Sequence, residues 1–136
     1  MRQYLFRGIR VDNGKWVEGY LNYCPTRKQY YIMDSVQAFP IPVRAETVGQ
    51  YTTQDDINGK KIFDGDIVNF QRVNTLGYTT RRTGEVRWYD ELPLFYILAT
   101  TGDGWDWVDC ENIEVIGNIY DDDLLEEDEQ YGSTDL

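Results

Sequence analysis

Turn-forming residues interrupt this sequence so often that its first 120 residues leave little room for helix. Asp12–Lys15 has Asn-Gly at its centre, a dipeptide that tolerates the positive φ of a tight hairpin turn. In the two segments that flank this turn, 4–10 and 15–23, successive residues alternate between two faces, with the two-residue period of a β-strand. Residues 4–23 are therefore predicted to form a β-hairpin.

Further short segments of strand character follow along the chain. Residues 29–34 and 44–52 are predicted strands, whereas Phe39–Val43 contains two prolines and is predicted to be a sheet edge or a loop, because proline cannot donate to a ladder. The second half has five strand-like segments: 66–72, 78–88, 94–100, 106–110 and 113–118. The predicted fold class is all-β, with short antiparallel strands forming a sandwich or an SH3-like small barrel.

The domain prediction is a single β domain over residues 1–120, with an N-terminal β unit (1–53) and a C-terminal small-barrel-like unit (54–120). No internal repeat is visible in the sequence. Residues 121–136 hold eight of the 24 acids and none of the 13 bases, so residues 1–120 carry 16 acids against 13 bases. An acidic tail is therefore predicted, either disordered or with a short helix over 121–129. Such a tail is most often solubilising, and less often docks on a basic partner or mimics nucleic acid.

Composition narrows the class of protein further. Aromatic residues make up 15% of the chain, with 11 tyrosines, and they favour sheet over helix. No apolar run approaches the roughly 20 residues that span a bilayer, and charges occupy the amino terminus, so we expect a cytoplasmic protein without membrane contact. Cys24 and Cys110 are predicted to be reduced and buried. The absence of histidine excludes the common structural zinc motifs and histidine-based acid–base catalysis, so no metal, cofactor or catalytic residue is predicted.

Two acidic clusters suggest metal sites but are better explained as turns. In Asp64-Gly65-Asp66 the central glycine indicates a turn whose aspartates accept backbone N–H bonds. In an EF-hand alignment of Asp55–Gly59, Gln54 and Gly65 occupy the first and last ligand positions, where carboxylates are required. The calcium-loop interpretation therefore fails.

The stretch Phe70–Tyr89 is the strongest candidate for a binding surface, because it interleaves arginines with aromatic residues. Small barrels that bind single strands combine a basic groove with stacking aromatics in this way. An equally simple interpretation is that the arginines are solvated or paired with acids and that the aromatics are core. The candidate residues for contact with nucleic acid or a partner are Arg72, Tyr78, Arg81, Arg82, Arg87 and Trp88.

Three separate pieces of the chain together resemble the YopX family of bacteriophage and prophage proteins. Most specific is the middle piece, Val48–Thr52 followed by Asp56-Ile57-Asn58-Gly59-Lys60 and Ile62–Val68. Near the start, Phe6-Arg7-Gly8 precedes Trp16-Val17 and Gly19, and near the end Glu114–Tyr120 precedes Leu124-Leu125. The resemblance implies an all-β fold, a phage or prophage origin with a bacterial host cell as location, and a tendency to self-associate. It implies no activity and no functional residues.

These observations favour a non-enzymatic accessory protein that acts through self-association and protein binding. We expect the association to use sheet edges, notably Phe39–Val43, and exposed aromatics, with a host or phage protein as a further partner. The alternative is a nucleic-acid-binding small-barrel module that uses the Arg72–Arg87 region. A third possibility is an enzyme that uses only carboxylates and tyrosines, which would require acids clustered in a pocket.

Overall fold

A computed structural model describes residues 4–34, 39–73, 77, 79–89, 94–102, 104–107 and 110–120. Within these residues the chain forms eleven β-strands and one short 3-10 helix. The strands pair antiparallel, which confirms the all-β prediction. The chain divides into two compact units, a first unit of residues 1–53 and a second unit of residues 54–136.

The first unit is a four-stranded meander followed by a 3-10 turn and a fifth strand. Its elements are β1 (Phe6–Ile9), β2 (Trp16–Cys24), β3 (Gln29–Met33), β4 (Pro40–Val43), the 3-10 turn Ala45–Thr47 and β5 (Gly49–Asp55), whose end lies in the second unit. The hydrogen-bonded order is β4-β3-β2-β1-β5, so the fifth strand returns to pair with the first.

The predicted hairpin at the start of the chain is confirmed. Ile9 lies opposite Trp16, and the turn between them is closed by a 2.8 Å bond from the Arg10 N–H to the Lys15 carbonyl. The Asn13 side chain accepts a 2.9 Å bond from the Lys15 N–H. A local turn with matched chemistry thus sets the register of β1 and β2.

The edge of β4 that does not pair with β3 is bonded to the residues that follow β1. Arg10 forms a bridge with Val43, the Val11 N–H donates to the Pro42 carbonyl at 3.0 Å, and the Arg44 N–H donates to the Ile9 carbonyl at 2.9 Å. The expectation of a sheet edge or a loop was therefore only partly right. The two prolines do place β4 last in the sheet order, but bonds to the end of β1 curl the sheet towards a small barrel.

Residues 44–52 do not form the single strand expected from their sequence. A 3-10 turn occupies Ala45–Thr47, and β5 begins only at Gly49. The reason is Thr47, whose buried hydroxyl donates to the Arg44 carbonyl at 2.7 Å and accepts from the Ile9 N–H at 2.9 Å. A side chain that bonds to nearby backbone in this way competes with the extended ladder.

The hydrophobic core of the first unit combines fully and partly buried side chains. Its fully buried members come from three neighbouring strands and are joined by half-buried residues of β1, β2, β3 and the segment before β5. The buried core is Val17, Ile32, Ile41 and Val43, with Phe6, Leu21, Tyr30 and Val48 packed against it.

The second unit repeats this order of strands. Its elements are β6 (Lys61–Phe63), β7 (Asp66–Val73), β8 (Thr79–Tyr89), β9 (Leu94–Ala99), β10 (Gly104–Asp106) and β11 (Glu111–Asn118). The order β10-β9-β8-β7-β11 is again a meander whose last strand returns to the first, as in SH3-like small barrels. The buried core consists of Ile62, Val68, Phe70, Val86, Ile97 and Ala99.

Three further local predictions concern a strand, the two cysteines and a helix. Of the strand expected over 106–110, only Asp106 lies in β10, and residues 108 and 109 lie outside the described residues. The Cys110 N–H donates to the Trp107 carbonyl at 3.2 Å. Cys24 and Cys110 are free thiols, but they are half-buried rather than buried. The helix predicted over 121–129 lies outside the described residues.

Candidate functional site

The arginine and aromatic stretch lies mainly on β8, where its side chains divide between the two faces of the sheet. Arg82 lies opposite the fully buried Phe70 and so belongs to the core face, as does Trp88, whose ring packs edge-on against Phe95 at 4.8 Å. Arg81 and Arg87 occupy odd positions and point to the other face. The predicted site residues are therefore not gathered on one surface.

The two arginines on the outer face of β8 are both paired with carboxylates. Arg81 lies 3.2 Å from Glu114 of β11, and Arg87 lies 2.8 Å from Glu85. Hydrogen bonding to Glu85 is the main cause that raises the pKa of Arg87. Much of their positive charge is thus already offset within the sheet, which leaves less to attract a phosphate backbone.

Of the remaining two predicted residues, Arg72 and Tyr78, one lies among the described residues. Arg72 is half-buried on β7, opposite Thr80. Tyr78 lies outside the described residues. Neutral groups on the same face are also paired, for example the Thr83 hydroxyl, which donates to the Asn69 amide oxygen at 2.7 Å.

The acidic segment Asp55–Gly59 folds as the predicted turn, centred on Asp56. This carboxylate is 8% exposed and accepts three backbone N–H bonds, from Asn58 at 2.8 Å, from Lys60 at 2.9 Å and from Val115 at 2.9 Å. Burial acts to raise the pKa of Asp56, but these donors outweigh it, and the pKa lies below its ordinary value. The carboxylate therefore ties the turn to β11.

The second acidic cluster also builds a turn, as predicted. Asp66 is 1% exposed, and one of its oxygens accepts a 2.8 Å bond from the Phe63 N–H. Gly65 sits between the two aspartates with a φ of +92°, a value that few other residues adopt. Among the described residues, no three acidic or cysteine side chains cluster so as to hold a metal ion.

A surface that the sequence analysis did not identify lies on the outer face of the first unit. Because Leu21 and Ile32 point into the core, the alternate residues of β2, β3 and β4 point outward. The strand register then places them in two rows, which we call the outer ladder: Tyr20, Met33 and Pro40 in one row, and Asn22, Tyr31 and Pro42 in the other.

The outer ladder is apolar in content yet accessible. Tyr20 is 61% exposed, and the adjoining Phe39 is 51% exposed. Met33, Tyr31 and Pro42 are half-buried. Aromatic and methionine side chains gathered on one face are typical of a protein–protein contact surface.

Charged groups border the outer ladder at its two ends. Towards the start of β2, Tyr20 is preceded on the same face by the exposed Glu18 and then by Trp16. The Arg7 guanidinium lies over the Trp16 ring, 4.5 Å from its centroid. At the other end, Arg27 in the β2–β3 turn hydrogen-bonds to Tyr31, which raises the pKa of Arg27. The ladder thus has an exposed carboxylate at one end, where the Arg7 guanidinium is buried, and an exposed guanidinium at the other.

No single segment of the sequence predicts the outer ladder. Its members come from three strands, and only the register between these strands brings them together. The alternation of Tyr20 and Asn22 on one side of β2 is visible in the sequence, but it does not show which side is covered. The outward position follows once Val17 is known to be buried, because residues on the two sides of β2 alternate.

The described residues contain no helix that is both long enough and apolar enough to cross a membrane. A comparison with curated proteins found no match for the chain. Residues 5–126 match the family described as "YopX protein", and the match includes the turns built by Asp56 and Asp66. As that match covers most of the 136 residues, the chain belongs to the YopX family.

Proposed function

We propose that this protein is a non-enzymatic accessory protein of phage or prophage origin, acting in its bacterial host by binding proteins, including further copies of itself. The outer ladder carries this proposal, because it places accessible aromatic and apolar side chains on one continuous face. Burying such a face against a protein surface is favourable by roughly 25 cal/mol per Å² of apolar area.

The contact is expected to use faces rather than sheet edges. In the first unit, β4 is bonded to the chain after β1, as described above. In the second unit, the Ile113 carbonyl accepts from the Ile57 N–H at 3.0 Å, and the Val115 N–H donates to Asp56. Backbone groups that are already bonded cannot template a strand of another chain.

Light scattering tests the proposal. We expect the weight-average mass to exceed the 16.0 kDa of one chain at about tens of micromolar, a range suited to a small interface. Tyr20→Glu should lower that mass towards one chain, because it replaces an exposed aromatic side chain of the apolar face with a charge. Tyr89→Glu, a matched change at a 39% exposed tyrosine of the second unit, should leave the mass unchanged. A chain that stays monomeric at all these concentrations contradicts self-association.

Binding of nucleic acid through the Arg72–Arg87 region is the competing proposal. Titration of a labelled single-stranded oligonucleotide at low salt is expected to show no binding, since Arg81 and Arg87 are paired with acids and Arg82 belongs to the core face. Binding that weakens steeply with salt, and that is lost in the double variant Arg81→Ala, Arg87→Ala, would reverse this conclusion.

A further inference from the structure

We propose that two copies of this protein pack outer ladder against outer ladder, with a two-fold axis that lies in the plane of contact and across the strands. The inference rests on the proposed function and specifies its partner as a second copy in one orientation. It depends on the position of the ladder and of the two charges that border it.

Both rows of the outer ladder run across the strands. One row contains Tyr20 and Met33, and the next contains Asn22 and Tyr31. Glu18 lies two residues before Tyr20 on the same face of β2, and Arg27 lies beyond the other row, where its side chain reaches Tyr31. The two charges are therefore separated along the strand direction, one on each side of the rows.

A two-fold axis between the rows exchanges the two ends of the ladder. It lays the row of Tyr20 on the partner's row of Asn22, and it brings Glu18 of each copy towards Arg27 of the other. A patch that meets itself in this way is self-complementary only if each group faces its opposite across the axis. The carboxylate and the guanidinium satisfy that condition twice in each dimer.

Charge does not oppose the meeting of this face with its own copy. Of the formal net charge of −11, −8 lies in residues 121–136, so residues 1–120 carry only −3 and repel a second copy weakly. The two rows of the ladder contain no charged residue, and their bordering charges are of opposite sign. Face-to-face packing of two such sheets at about 10 Å would place Tyr20 over the second copy's Asn22, Met33 over its Tyr31 and Pro40 over its Pro42.

The area of contact sets the expected strength. A stable interface buries about 800 Å² on each partner, and two rows of three residues with their borders provide less than that. We therefore expect a reversible dimer that forms at about micromolar concentrations and weakens with added salt, because Glu18–Arg27 contacts at the rim are screened.

Charge-swap variants that are mixed with each other provide the test. Glu18→Arg alone sets arginine against arginine in both contacts, and Arg27→Glu alone sets glutamate against glutamate. Each variant alone should weaken self-association by about tenfold or more. In an equimolar mixture each contact is again between opposite charges, so light scattering of the mixture should recover the wild-type mass at the same total concentration.

Recovery on mixing cannot be produced by damaged folding, which makes it specific for this orientation. If Glu18→Arg does not fold, because its new arginine lies opposite Arg7, then Glu18→Gln replaces it, and its mixture with Arg27→Glu should still associate more strongly than Arg27→Glu alone. Lys61→Glu, an exposed position of the second unit, is the matched charge control and should have no effect on the mass.

The outcomes separate the two proposals. A wild-type chain that is monomeric overturns the proposed self-association and this dimer together. A wild-type chain that associates, while the mixture remains as weak as its components, leaves the proposed function in place and overturns the ladder-to-ladder dimer. The outer ladder would then be assigned to a different protein partner.

Discussion

Gly19→Ala is expected to lower the free energy of unfolding by about 3 kcal/mol or more, the range of severe backbone clashes. A Cβ built at Gly19 lies against the carbonyl oxygen of Met33, far inside contact distance, and 2.8 Å from the carbonyl carbon. Backbone atoms of β3 cannot move aside without breaking their own ladder. Urea denaturation followed by far-UV circular dichroism measures the loss.

The position of Gly19 explains why the chain needs it. β2 pairs with β1 up to Gly19 and with β3 from Tyr20 onward, so the strand passes from one partner to the next at this point. A glycine at such a corner lets two backbones approach closely. Gly84 occupies the corresponding place in β8, between its pairing with β7 and with β9.

Comparison of three glycines provides the control. A Cβ at Gly84 would lie 2.5 Å from Ile97 Cγ2 and 2.8 Å from the Leu98 carbonyl oxygen. Because its shortest contact is with a side chain, which moves aside more easily than backbone, Gly84→Ala should cost less than Gly19→Ala. A Cβ at Gly104 meets only the Tyr96 ring at 3.6 Å, an ordinary contact. If Gly104→Ala is as destabilising as Gly19→Ala, the close approach is not the cause.

Much of the fold could be predicted from the sequence because its signals are local. The Asn-Gly turn and the alternation around it fixed the first hairpin, and Asp56 and Asp66 were correctly interpreted as turn residues. The bridge between Arg10 and Val43 joins residues far apart in sequence and has no local signal. The two units also share one strand order, which could not be predicted because the sequence shows no visible repeat.

The candidate surfaces could likewise be predicted from the sequence only where their signals are local. In a strand, consecutive residues face opposite sides, so Arg81 and Arg82 could have been separated by their numbering alone. The pairing of Arg81 with Glu114, 33 positions away, could not be foreseen without the register of β7, β8 and β11. The outer ladder required the register of three strands for the same reason.

Asp56→Asn is expected to lower the free energy of unfolding by about 3 kcal/mol at neutral pH. Its carboxylate satisfies three backbone N–H donors with both oxygens, whereas an amide has one oxygen and turns an NH2 group towards a donor. Leaving a buried N–H without its acceptor costs about 1–3 kcal/mol, and the charge of the lost acceptor adds to this. Asp55→Asn, at the exposed neighbouring carboxylate, is the matched control and should cost less than Asp56→Asn.

The pH dependence of this difference identifies the charged form of Asp56 as the stabilising one. Its pKa in the folded protein is lowered, so the stabilisation is fully present above the unfolded-state pKa of about 3.9 and is lost as the pH falls through the lower folded-state value. The gap in unfolding free energy between wild type and Asp56→Asn should therefore be constant at about pH 5–8 and shrink below about pH 4. A gap that stays constant down to about pH 2 would show that the geometry of the side chain, rather than its charge, ties the turn to β11.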